Sequence, residues 1–242
     1  MRGFLTAMAF LTRLVPARLG RPEDLASATA WLPAVGLVLG GLLVLPLALG
    51  LFAAYPWVQA WLLVLASLWA TRGLHLDGLA DVADGWGSGA CGQRFWEIVK
   101  DSRLGAFGAM GLLLTLSGQI VLLHELLERG AFAAAVLVFV AGRLAAVLLA
   151  FSARRLARPG LGQLFVAGAT PRRVLLAVGM SLAIGLVLVS PLTLAAMLIS
   201  ASAPALVLYG LAKRQSGLNG DFLGAAIVLG ETTACLGWLL VS

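Results

Sequence analysis

Charge is scarce in this 242-residue chain: Asp, Glu, Lys and Arg together make up 12% of it, against 61% hydrophobic residues. A soluble domain of this length has too little interior to bury that much apolar side chain, which excludes a water-soluble globular fold and indicates an integral membrane protein. Cysteine is nearly absent. Cys91 and Cys235 stand far apart with no metal-ligand spacing, which excludes a disulfide framework and leaves two unpaired thiols. Acids number only eleven against seventeen Lys and Arg, for a net charge of +6. The basic residues are scattered through short loops and form no basic face or nucleic-acid motif, so no nucleic-acid partner is expected. No stretch is long or polar enough to make a separate soluble domain, and no internal repeat is visible. Residues 1–242 therefore read as one membrane domain.

Apolar runs long enough to span a bilayer core of about 20 residues fall near 31–54, 57–73, 104–124, 131–152, 173–190, 192–211 and 222–241. The expected fold class is all-α: a polytopic helical membrane protein of about seven transmembrane helices with an Asp-rich cytoplasmic loop. Loop charges test that topology. With the N-terminus inside, the inner segments hold Arg2, Arg13, Arg18 and Arg21, then Arg72, Arg94, Lys100 and Arg103. They also hold Arg154, Arg155, Arg158, Arg172 and Arg173, and finally Lys213 and Arg214, which makes fifteen of the seventeen basic residues. Only Arg129 is outside, and Arg143 falls within a span. This positive-inside pattern places the Asp-rich block and Asp221 at the cytoplasmic face of the cell inner membrane, in contact with the lipid bilayer. Phe4, Met8, Leu11 and Val15, followed by basic residues, suggest an amphipathic surface helix or a short re-entrant entry rather than a signal peptide. Gly36-x-x-x-Gly40 fits either a dimer face, hence a homo-oligomer, or close packing inside one subunit, and the second reading is favoured.

Against this sparse background one polar block stands out, TRGLHLDGLADVADGWGSGACGQRFWEIVKDSR, residues 71–103. It holds five of the eleven acids: Asp77, Asp81, Asp84, Glu97 and Asp101. Asp77, Asp81 and Asp84 are spaced i, i+4, i+7, which on a helix sets three carboxylates in one stripe. Such like charges repel unless a cation lies between them. A divalent metal with oxygen ligands answers that need, and phosphate chemistry is its usual employment. Gly78, Gly85, Gly87 and Gly89 surround the acids and allow close backbone approach or sharp turns. Lys100 and Arg103, three residues apart, would share a helical face and clamp phosphate oxygens, or else anchor the membrane edge. Asp221, in SGLNGDFLGAA, would add a metal ligand or cap the last helix. Arg143 inside a span needs a carboxylate or phosphate partner, and Glu231, midway along the last span, is available to it. His75 is a ligand, a proton carrier or a hydrogen-bonding neighbour. His124, near the outer surface, reads as incidental.

Asp81-x-x-Asp84-Gly85 resembles the CDP-alcohol phosphotransferases, membrane enzymes that use paired metals on Asp-rich helices. Their pattern continues with Ala-Arg and two further acids, whereas Ser88-Gly89 stand here and the later acids are missing. A closer resemblance covers nearly the whole chain. Phe10 to Pro16 (FLTRLVP), WLPAVGLVLG at 31–40, HLDGLADVADGWGSG at 75–89, KDSRLGAFGA at 100–109 and NGDFLGAA at 219–226 look, in order and separation, like the cobalamin synthases, the adenosylcobinamide-GDP ribazoletransferase family. The last segment departs from the family's usual form at Asn219, where Thr is common, and at Val228 and Leu229, where an acid is. The resemblance implies an enzyme that joins adenosylcobinamide-GDP to α-ribazole, or its 5′-phosphate, and releases GMP with Mg²⁺. On that reading Asp77, Asp81 and Asp84 hold the metal, and Asp81 or Asp84 accepts the proton of the attacking hydroxyl. Lys100 and Arg103 steady phosphate oxygens, and His75, Asp101, Arg143 and Asp221 contact substrate. A phospholipid synthase of the CDP-alcohol type is the nearest rival. A transporter is the non-enzymatic one, disfavoured because most acids crowd one loop rather than the bilayer midplane.

Overall fold

The computed structural model describes residues 2–16 and 21–242, and Arg18, counted above among the inner charges, lies outside them. Among the described residues the chain is helical throughout, with one isolated bridge, Ala157 to Leu218, in place of any sheet. It is an all-α, multi-pass membrane protein. Among the described residues, six helical segments are long and apolar enough to cross a membrane: Pro22–Ala48, Ala106–Glu128, Phe132–Ser152, Pro171–Leu188, Pro191–Arg214 and Gly220–Leu239. The first joins α2 (Pro22–Ala28), a 3-10 turn (Thr29–Trp31) and α3 (Leu32–Ala48). The seventh expected span is the shorter α4 (Pro56–Ala70), 15 residues or about 22 Å at 1.5 Å each. It ends early because Arg72 and Gly73 take left-handed backbone conformations, φ 58° and 69°. That break starts a new helix where the sequence suggested a continuous run to residue 73.

Chain punctuation sets the ends. Pro56, Pro171 and Pro191 each open a helix at a position where the missing N–H costs nothing. The Thr170 and Ser190 side chains accept from the N–H groups of Arg173 and Thr193, capping α10 (Pro171–Leu188) and α11 (Pro191–Arg214). The centre of the bundle is α8 (Phe132–Ser152), which touches α3, α10, α11 and α12 (Gly220–Leu239). Gly36 and Gly40 lie directly on the α8 backbone at Phe139–Val140 and Val136, so the Gly-x-x-x-Gly face packs α3 within its own subunit. By contrast, Leu113 and Leu114 of α7 (Ala106–Glu128), Val187 of α10 and Leu206 of α11 are exposed, as lipid-facing residues are.

One ion pair crosses this interior. Arg143 on α8 and Glu231 on α12 are both buried and hydrogen-bonded to each other, as the sequence suggested. Gly142, with no room for a side chain beside the Glu231 Cγ and the Ile227 carbonyl, lets the two helices meet there. Both cysteines are free, Cys91 exposed and Cys235 buried.

Candidate active site

The polar block folds as two helices at one end of the bundle, α5 (Leu74–Gly87) and α6 (Gln93–Val99). Two glycines bring α5 against the start of α12. A Cβ on Gly78 would lie 2.8 Å from the Asp221 Cα and carbonyl oxygen, and one on Gly224 would lie 3.2 Å from the His75 backbone. No side chain larger than hydrogen fits at Gly78 without a backbone shift. Asp77 and Asp81 thereby come beside Asp221, although the two motifs are about 140 residues apart in sequence.

The carboxylates feel one another. Burial, then the charges of Asp221, Asp77 and Asp84, push the Asp81 carboxyl up from its usual range to about 7. Asp84 is placed differently from its two partners. It is buried, and its two oxygens accept the backbone N–H groups of Gly105 and Gly108, each at 2.8 Å, at the start of α7. It so satisfies donors that no helical carbonyl can reach and sets a negative charge at the positive end of the helix. The stripe predicted from the spacing forms, but its third member holds α5 to α7.

Two adjoining cavities open on this acidic edge. The larger, about 980 Å³, is lined by Asp77, Asp81, Arg72, Ser102 and Arg103, and by Thr6 and Phe10 of α1 (Arg2–Leu11). The smaller, about 340 Å³, is lined by His75, Asn219 and Asp221 and by apolar side chains. Phe10, Leu74 and Leu161 border both, so the acids lie near the seam between them. Asn219 donates its side-chain amide to Asp221. The Asn219 Oδ1 and the His75 Nε2 are buried with no hydrogen-bond partner.

Other expected residues are placed elsewhere. The α6 helix stops at Val99, so Lys100 and Arg103 do not share a face. Lys100 lines a third pocket with Trp96, Arg158 and Gln215. Arg103 borders the larger cavity, where its guanidinium grips both oxygens of Asp101 at 2.6–3.2 Å. Those bonds hold the Asp101 carboxyl down at about 2. Arg143 lines neither cavity, because Glu231 and the Phe139 carbonyl take its guanidinium inside the bundle.

Three contributors escaped the sequence reading. Arg72 closes the α4–α5 break and donates to the Ala9 and Phe10 carbonyls at 3.2 and 2.9 Å, tying the C-terminus of α1 over the cavity. Arg158 stacks over Trp96 at 4.3 Å and lines the smaller cavity, held there because its N–H donates to the Leu218 carbonyl. The N-terminal helix itself packs into the bundle through Ala7, Met8 and Leu11. The Arg-Gly pair interrupting an apolar run was the one signal available for the first. The other two depend on long-range contacts.

Among the described residues, the only group of three His, Cys, Asp or Glu side chains with donor atoms within 4.8 Å of one another is His124, Glu125 and Glu128. It lies at the far end of α7, where Arg129 meets both Glu125 and Ser242. The acids of α5 and α12 offer a looser, all-oxygen donor set. Such a set fits Mg²⁺, which keeps several waters and takes one or two carboxylates together with substrate phosphates.

A family profile described as cobalamin-5-phosphate synthase matches residues 3–239. The chain belongs to that family. An adenosylcobinamide-GDP ribazoletransferase of Nitratidesulfovibrio vulgaris, strain Miyazaki F, is 46% identical over 239 residues, which is 99% of this chain and 95% of its own length. One from the Hildenborough strain is 47% identical over 236 residues, covering 96% of this chain and 95% of its own. No solved structure matches the chain. As a member of this family it is a transferase of cobalamin biosynthesis, and the α5 acids and the Asn219–Asp221 segment fall within the matched region.

Proposed function

We propose that this chain is an adenosylcobinamide-GDP ribazoletransferase that depends on Mg²⁺. It transfers the adenosylcobinamide-phosphate group to α-ribazole, or its 5′-phosphate, and releases GMP. The observation that carries the reading is the packing of α5 on α12 at Gly78, which sets Asp77, Asp81 and Asp221 beside one another on the seam of two adjoining cavities. Asp77 and Asp81 on one cavity and Asp221 on the other, none of them in an ion pair with the arginines that share those walls, suit a bound metal and a diphosphate better than a bare salt bridge. The CDP-alcohol reading is not favoured.

In the reaction a ribose hydroxyl of the acceptor attacks the phosphorus that carries the cobinamide. A new P–O bond forms, the bond to the GMP oxygen breaks, and the hydroxyl proton must leave. Asp81, raised to about 7 by burial and the neighbouring carboxylates while no cation is bound, would take that proton, and a metal beside it would lower the value. Arg72 and Arg103 border the larger cavity and would hold diphosphate oxygens, with Arg103 exchanging part of its grip on Asp101 for the substrate. Asp84 keeps α5 and α7 in register, and each of its oxygens retains a second lone pair for the site. Mg²⁺, held by Asp77 and Asp81 with Asp221, would neutralise charge on the diphosphate and on departing GMP. The basic residues of the inner segments support a cytoplasmic position for this end, in the inner membrane.

The test incubates purified protein in detergent with adenosylcobinamide-GDP, α-ribazole and Mg²⁺ and follows cobamide and GMP by chromatography. Matched formation of both, abolished by EDTA and by Asp81→Ala in a folded protein, is expected. Folded protein that forms neither product would overturn the assignment.

A further inference from the structure

We infer that the smaller cavity is the acceptor subsite, and that it receives the flat bicyclic base of α-ribazole with the ribose directed at the acidic seam. This rests on the proposed reaction and adds which substrate lies where.

The two cavities differ in size and in lining. The larger one, about 980 Å³, carries two guanidinium groups, Arg72 and Arg103, and suits the anionic, bulky nucleotide donor. The smaller one, about 340 Å³, lies at the low end of small-molecule sites and matches a nucleoside. Its walls divide by chemistry. Phe10, Leu32, Phe165 and Ile227 make an apolar slot for an aromatic base. Asn219, whose Oδ1 is buried without a partner, lines the same cavity, and so does His75, which also borders a separate small pocket beside Arg143 and Glu231. Buried polar atoms left unpaired are costly, and a ligand that pairs them recovers the loss. Asn219 Oδ1 would accept from a ribose hydroxyl. Asp221, on the same wall, neighbours Asp77 and Asp81 across the α5–α12 contact, so a ribose held there presents its hydroxyl to the acids.

Ala146 on α8 lines the smaller cavity, is buried, and does not border the larger one. In full-length protein in detergent, Ala146→Leu should raise KM for α-ribazole at least tenfold while KM for adenosylcobinamide-GDP stays within twofold. A riboside of unsubstituted benzimidazole, two methyl groups smaller, should recover most of the loss, which general misfolding would not allow. Leu223→Ala, which enlarges the same cavity, should admit a bulkier tricyclic base that the parent protein rejects. Calorimetric titration with α-ribazole alone should give the same tenfold loss for Ala146→Leu. An equal rise in both KM values, or a loss confined to the nucleotide donor, would overturn the placement. So would unchanged α-ribazole affinity in both variants. If the parent protein forms no cobamide yet binds α-ribazole with this pattern, the reaction fails and the subsite stands. If it is active and the pattern is absent, the subsite alone fails.

Discussion

Replacing Glu231 alone should damage this protein more than replacing Glu231 and Arg143 together. Arg143 is 1% exposed and its side chain has two acceptors, Glu231 and the Phe139 carbonyl, while its Nε has none. Glu231→Leu therefore leaves a guanidinium inside an apolar bundle with one 3.3 Å bond to a backbone carbonyl. Removing one member of a buried pair costs about 3–5 kcal/mol, whereas replacing both with apolar residues of similar volume is about neutral. The expectation is a loss of about 3–5 kcal/mol for Glu231→Leu and for Arg143→Met, and of less than about 1 kcal/mol for the double variant. Unfolding in mixed detergent micelles with increasing SDS, followed by the fluorescence of the seven tryptophans, reads these differences. KM for both substrates should stay within twofold in the double variant. Single-variant losses below about 1 kcal/mol, or singles that simply add in the double, would refute the buried-pair reasoning. A tenfold rise in KM for the nucleotide with unchanged stability would make Arg143 a substrate contact instead.

The remaining predictions concern the acidic helix. Asp84→Ala should cost about 1–2 kcal/mol, the usual loss for a helix N-terminal cap, and Asp84→Asn less because one acceptor remains; thermal unfolding of metal-free protein checks both. Asp81 has its folded value raised from 3.8 to about 7, so its favourable contribution is complete below pH about 4 and is lost as pH rises through 7. Unfolding in EDTA should accordingly show stability falling across that window, with a flatter slope in Asp81→Asn; an unchanged slope would remove Asp81 as the source. Gly78→Val should cost about 1–3 kcal/mol through overpacking and should lower turnover as well, because it wedges α5 from Asp221. Full turnover in a folded Gly78→Val protein would show that this contact does not build the site.

Amphipathic and apolar runs, positive loop charge and motif spacing were enough to read the all-α membrane class, the approximate spans and the family from the chain alone. These are properties of consecutive residues, and lipid forces each spanning segment to satisfy its backbone internally, so local pattern governs them. The Arg143–Glu231 partnership was also legible, because a charge inside a span demands a partner and few were on offer. The acid stripe was legible as a spacing, but its division of labour was not. Only tertiary packing turns Asp84 toward the α7 N–H groups while leaving Asp77 and Asp81 on the cavity. Lys100 and Arg103 show the same limit: their spacing implies a shared face only if the helix continues, and α6 ends one residue earlier. The close approach at Gly78, the Arg72 clamp on α1 and the two-cavity seam join segments far apart in sequence. Contacts of that range are decided by which helix faces meet, and that depends on the packing of the whole bundle rather than on any one stretch of it.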